Sequence, residues 1–219
     1  MIKKSTLDFL KKLKANNNKD WFDKNRPMYF EVKKEFETLV AKLITQITSF
    51  DSAVKNLEPK NCIFRINRDV RFAKDKSPYK TNIGASISPG GKKSMSAGYY
   101  VHIEPGNSFL AGGIYMPPAP QLNAIRQEID YNIPEFKKII SEKEFKKYFG
   151  KLDESDKLKT VPKGYPKDHP EVELLKLKSY LVVHELKDEQ ILSSNFIQQC
   201  TKIFKALYPL DKFLRRAVD

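Results

Sequence analysis

The apolar residues of this chain change their spacing four times, and that alternation limits the fold more than any other feature of the sequence. Val32, Phe36, Leu39, Val40, Leu43, Ile44 and Ile47 recur every three or four positions, the repeat of a helix with one buried face. From residue 61 to residue 116 the repeat shortens to two, as in strands whose successive side chains point to opposite faces. After Pro117, Pro118 and Pro120 the helical repeat returns through residue 149. It comes back near the end of the chain in Phe196, Ile197, Cys200, Ile203, Phe204 and Leu207.

Five segments read as strands: Asn61 to Asn67, Thr81 to Ser88, Gly98 to Glu104, Ser108 to Met116, and Ser179 to Glu185. Short connections make the first four antiparallel neighbours. The expected fold is therefore α+β, an antiparallel sheet of about five strands with helices packed on one face. No repeat or low-complexity linker divides residues 1–219, so a single domain is expected. Ser5 and Asp8 read as a capping box for a first helix that the run Asn16, Asn17, Asn18 stops, and a second helix starts near Pro27. Between them, Trp21 and Phe22 are placed to pin the two helices together. The stretch Pro89 to Ala97, although it holds Gly90, Gly91, Lys92 and Lys93, lacks the spacing of a phosphate loop and reads as a hairpin connection.

At 40% hydrophobic and 31% charged residues, the composition excludes a disordered or membrane-embedded chain. Lysines interrupt the leucines near the start, which leaves no signal or spanning segment, and the expected location is cytoplasmic. Cys62 and Cys200 fall at apolar positions and read as buried thiols. The net charge of +13 permits a polyanionic partner. Much of that excess is lysine placed between apolar helix positions, which also describes a solvated basic surface.

The most unusual segment is FRINRDVRFAKDKSPYKTN, where Arg65, Arg68, Arg71, Lys74, Lys76 and Lys80 meet only Asp69 and Asp75. Carried through as a strand, alternation puts Arg65, Asn67, Asp69 and Arg71 on one face and Phe64, Ile66, Val70 and Phe72 on the other. Guanidinium forks match carboxylate and phosphate geometry, so the polar stripe suits an anion. In the next strands Asn82, Gly84, Ser86 and Ser88 face away from the core, and Tyr100, His102 and Glu104 share a face. The loop with Lys163, Tyr165 and His169 is long enough to cover a cleft floored by these strands. The other reading of the window is an ion-pair network in which Asp69 and Asp75 hold the arginines.

The same window, with AGGIYMPP, KLKTVPKGYPKDHP, ELLKLKSY and the early LDFLKKLKANNNKDWFDKNR, resembles the domain of unknown function 2461 family across nearly the whole chain. The resemblance implies one intact domain and singles out the same arginine-rich window. It implies no particular reaction.

From the residues, the leading expectation is a binding domain or an enzyme for a phosphate- or carboxylate-bearing ligand. Arg65, Arg68, Arg71, Lys76 and Lys80 would grip the anion, Asp69, Tyr79 and His102 would orient it, and Asn67 and Asn82 would line the same surface. Neither a metal nor a cofactor is expected, since no ligand spacing or dinucleotide fingerprint is present. Nucleic-acid binding, with Trp21, Tyr79 and Tyr99 as stacking rings, is less favoured because no nucleic-acid module is recognisable. A protein-interaction module with structural arginines is the third reading.

Overall fold

The first helical stripe folds as expected, but its N-terminus is satisfied from a distance. The computed structural model describes residues 2–218. Helix α1 (Lys4–Ala15) has no side-chain cap from Ser5. Instead Glu35 accepts from the Lys3 backbone N–H at 2.6 Å and from the Thr6 hydroxyl at 2.9 Å, which satisfies a donor the helix leaves open. A short α2 (Lys19–Lys24) follows, capped by the Asn18 side chain, and α3 (Arg26–Thr48) starts on Pro27 as its spacing predicts.

The expected first strand is not one. Pro59, whose fixed φ suits a first helical turn, opens a one-turn α4 (Pro59–Cys62), and the following residues make only isolated bridges, Ile63 to Ala85 and Asn67 to Tyr79. Past Phe64 the segment pairs within itself, Arg68 N–H to the Pro78 carbonyl and Lys80 N–H to the Ile66 carbonyl, and so does not extend a ladder along β1.

The sheet therefore has four strands, β1 (Ile83–Ile87), β2 (Gly98–Ile103), β3 (Ser108–Ile114) and β4 (Tyr180–Leu186), antiparallel in sequence order. Between β3 and β4 run α5 (Ala119–Tyr131), α6 (Ile133–Ser141), α7 (Lys143–Phe149) and α8 (Val172–Leu175). After β4 come α9 (Asp188–Leu192) and α10 (Phe196–Val218). Irregular chain covers both sheet edges, which otherwise expose unpaired backbone. Phe64 N–H bonds the Gly84 carbonyl outside β1, and Asp153 N–H bonds the Leu181 carbonyl outside β4.

Register sorts the two faces. Ala85, Val101, Leu110 and Tyr99 with its partner Gly112 lie on one face and belong to a hydrophobic core shared with α1, α3 and α10. Helix α10 crosses that face at Gly112, where an added Cβ would sit 2.0 Å from Leu207 Cδ2 and 2.7 Å from the Gly98 carbonyl oxygen.

A polar cluster locks the crossing. Arg215 donates to both Asp51 oxygens, at 2.9 and 2.8 Å, and to the Ala97 carbonyl at 2.9 Å. The Tyr99 hydroxyl donates to Asp51 at 2.8 Å. Asp211, one turn before Arg215, is fully buried; the Gly113 backbone N–H approaches its carboxyl, and no side chain hydrogen-bonds it among the described residues. Burial pushes its carboxyl well above the usual 3.8, with Asp51 adding to the rise and Arg215 opposing it.

No helix among the described residues is long and apolar enough to cross a membrane. Cys62 and Cys200 are buried free thiols.

Two outcomes follow from the crossing. Gly112→Ala should lower stability by about 1–3 kcal/mol in denaturant unfolding, with partial recovery when Leu207→Val makes room. A carboxyl raised on folding stabilises at low pH and loses that contribution as pH climbs from about 3.8 towards its folded value. Asp211→Asn should therefore gain stability over the native chain more at pH 8 than at pH 4, measured by urea unfolding at each pH.

Candidate functional site

The arginine-rich window is a pinned loop rather than a strand. Its neck is closed by Arg68 N–H to the Pro78 carbonyl at 2.9 Å and Lys80 N–H to the Ile66 carbonyl at 2.8 Å. The Asn17 side-chain amide holds both backbone groups of Tyr79, at 2.9 and 3.1 Å. The Tyr79 ring stacks on Phe22 with centroids 3.9 Å apart. So Asn17, read from sequence only as a helix stop, anchors the loop, and Tyr79 is a buried anchor beside it.

Without a ladder nothing enforces the expected alternation. Ile66 is buried, but Phe64 is 37% exposed and Phe72 95% exposed, so the predicted core face does not form. The cations divide into two groups. Arg71 forks onto Asp69 at 2.9 and 2.7 Å, and the Asp69 carboxyl falls below its usual value through that contact. Arg68 pairs with Asp75 and bonds the Ser77 carbonyl at 3.1 Å. Hydrogen bonds from Ser77, then from Arg68, hold the Asp75 carboxyl well below the carboxylate range. Lys76 reaches the Val70 carbonyl at 3.0 Å.

Arg65 and Lys80, like the exposed Lys74, make no side-chain hydrogen bond among the described residues. Lys80 lies over the Phe64 ring at 5.4 Å, and its ammonium is depressed by burial first and by the Arg65 charge second. Arg65 also acts on the Asp69 carboxyl through its charge, so it stands between that carboxylate and Lys80 in its electrostatic reach. Asn67 is exposed and Asn82 half-buried beside them in sequence.

Lys80 and Phe64 stand at the rim of the sheet face that carries no helix. There a cavity of about 570 Å³ is bounded by Phe64, Ser86, Met95, Tyr100, Phe109 and Val183, with Asp153 at the opposite rim. Its depth has a sequence cause: Gly98 and Gly113 pair across β2 and β3, with Ala111 on the same face, so no large side chain fills the floor. The hairpin connection between β1 and β2 supplies Ser94, Met95 and Ser96 to the wall.

A hydrogen-bonded chain runs beside the cavity. The Tyr100 hydroxyl meets His102 Nδ1 at 3.1 Å, and His102 Nε2 meets Glu104 at 3.4 Å. Glu104 also accepts from Thr81 at 2.8 Å and Asn107 at 3.2 Å. That order selects the His102 tautomer with its proton on Nε2. Phe109 stacks on the imidazole at 4.4 Å. Burial lowers the His102 value despite Glu104, and burial raises Tyr100 to about 12. Burial also opposes ionisation of Glu104, but its hydrogen bonds outweigh that and leave it below its usual value.

The loop expected to cover the cleft lies elsewhere. His169 bonds Asp130 of α5 at 2.8 Å and packs edge-on to Tyr165, and neither lines the cavity. The rings expected to stack nucleic acid are also packed away: Tyr99 is fully buried, Tyr79 is 6% exposed, and Trp21 is half-buried against Phe9. Among the described residues no three His, Cys, Asp or Glu side chains gather as metal ligands.

Fold and site together define an α+β protein whose antiparallel sheet is covered on one face and carries an open cavity on the other. The chain belongs to the DUF2461 family of conserved hypothetical proteins, whose profile matches residues 5–213. No curated protein and no solved structure matches it.

A depressed histidine resists protonation in the folded state, so its contribution is present above about 6.5 and is lost as pH falls below that value. Urea midpoints of the native chain should fall between pH 7.5 and 5.5, and His102→Gln should flatten that slope.

Proposed function

We propose that this protein binds a small phosphate- or carboxylate-bearing ligand on the open face of its sheet, with the anionic group between Arg65 and Lys80. The observation that carries this reading is Lys80, which lies over the Phe64 ring at the rim of a cavity of about 570 Å³, with the Arg65 charge close enough to depress its ammonium. That size suits a small-molecule site. Like charges left together cost free energy that a bound anion would offset.

Arg68, Arg71 and Lys76 shape the loop in this reading, since their donors are already engaged. Asp69, Tyr79, Asn67 and Asn82 support the loop and its neck. Tyr100, oriented by His102 and Glu104, offers a hydroxyl on the cavity wall that can take one further hydrogen bond from the ligand. A Tyr–His–Glu chain of this kind also moves protons readily, so the same geometry is compatible with a reaction on the bound molecule.

A panel of organic phosphates and carboxylates at moderate salt tests the assignment through the melting temperature, because a ligand that binds only the folded state stabilises it by mass action. At least one should raise the midpoint. Arg65→Ala should remove that shift, with a loss of tenfold or more in affinity. Arg71→Ala should keep the shift and leave the unliganded melting temperature little changed, as befits an exposed pair. If Arg71→Ala removed the shift and Arg65→Ala did not, the site would have to be moved to the loop.

A further inference from the structure

The open sheet face carries the wrong surface for water. In an antiparallel sheet with one covered face, the uncovered positions are ordinarily polar. Here Phe109 and Ala111 of β3 and Leu181 and Val183 of β4 occupy those positions. Phe64, Met95 and Tyr115 join them from the flanking segments, and they are 37%, 42% and 72% exposed. An apolar surface of this kind, gathered in a concavity, marks a binding site. Its polar groups lie at the edges: Ser86, Ser94, the Tyr100 hydroxyl and Asp153.

We infer that the ligand is an amphipathic organic acid, whose alkyl or aryl body lies on the floor between β2 and β4 while its carboxylate or phosphate meets Arg65 and Lys80. This rests on the anion-binding reading and adds the chemistry of the rest of the molecule. Two observations favour this occupant over a second copy of the chain. Lys80 stands over Phe64 at one rim of the apolar floor, with the Arg65 charge near it, so charge and apolar area are arranged head to tail as in such an acid. A second copy would bring another +13 of like charge to the same face. The glycine pair Gly98 and Gly113 keeps the floor flat and bare, which suits a chain or ring laid along it. The stacked Phe109 and His102 pair and the Tyr100 ring make an aromatic wall.

The test is a homologous series of straight-chain carboxylates from four to twelve carbons, the matching alcohols, and inorganic phosphate. Each is titrated into the full chain by calorimetry, with sedimentation velocity run in parallel. Affinity for the acids should rise about fourfold per added methylene until the chain outruns the cavity. The matching alcohols should bind more weakly by tenfold or more. Val183→Asp, a change at a 39% exposed position that leaves the core intact, should abolish the chain-length dependence. Arg65→Gln should abolish the preference for acid over alcohol while keeping the dependence on length.

Each part can fail separately. If short acids or phosphate bind with Arg65 dependence but no length dependence appears, the anion site stands and the amphipathic ligand is overturned. If alcohols match the acids and Arg65→Gln changes nothing, the floor binds apolar molecules and the anion reading fails. A dimer in sedimentation that Val183→Asp makes monomeric would give the face to a second copy and overturn the inference.

Discussion

The contact between Arg215 and Asp51 decides how the two halves of the chain meet. It joins the last helix to the segment that follows α3, and through Tyr99 and the Ala97 carbonyl it joins both to β2. Removing such charges from water costs several kcal/mol per ion, and only dense hydrogen bonding recovers it. Here Asp51 is met by one guanidinium nitrogen that reaches both of its oxygens, by a phenol and by the Ala53 N–H at 3.2 Å. The pair therefore tolerates one placement of α10 and penalises others. Gly112 makes the same demand through shape, since Leu207 occupies the space a side chain would need.

With α10 placed there, one face of the sheet is committed to the core and the other is left to loops. The chain closes both edges with irregular segments, and these set the boundaries of the open face. The arginine-rich loop follows from the segment outside β1, and Asp153 from the one outside β4. Asn17 and Phe22 tie the loop neck at Tyr79 to the first two helices. A basic loop attached at its neck keeps its tip in solvent, so Phe72 remains exposed while Lys80 lies over Phe64 at the cavity rim.

The division of the cations is the main electrostatic result. Local carboxylates within the loop neutralise Arg68 and Arg71 in exposed pairs that contribute little to stability. Of the other cations, Lys80 lies over Phe64 beside the apolar floor, and the Tyr100–His102–Glu104 chain adds a wall whose protonation burial shifts away from solution behaviour. Charge, apolar area and an ordered polar chain at one concavity are the ingredients of recognition.

The sequence by itself determined the α+β class, four of the five strands and the two long helices, because burial on one face writes its period directly into the order of residues. It also marked the arginine window and placed Tyr100, His102 and Glu104 on one face, since alternation holds wherever a ladder exists. It misread residues 61–67, where the period of two continues but Pro59 opens a helical turn and the backbone beyond Phe64 pairs within its own loop. It also missed the role of Asn17 and the final position of the loop with His169. Which cations lack a hydrogen-bond partner, which face stays open, and where the apolar floor comes to lie beside Lys80 were decided by the tertiary structure alone. The reason is that each depends on partners 15 to 164 positions apart, as Lys80 with Arg65 and Arg215 with Asp51, and no local pattern encodes the distance between them.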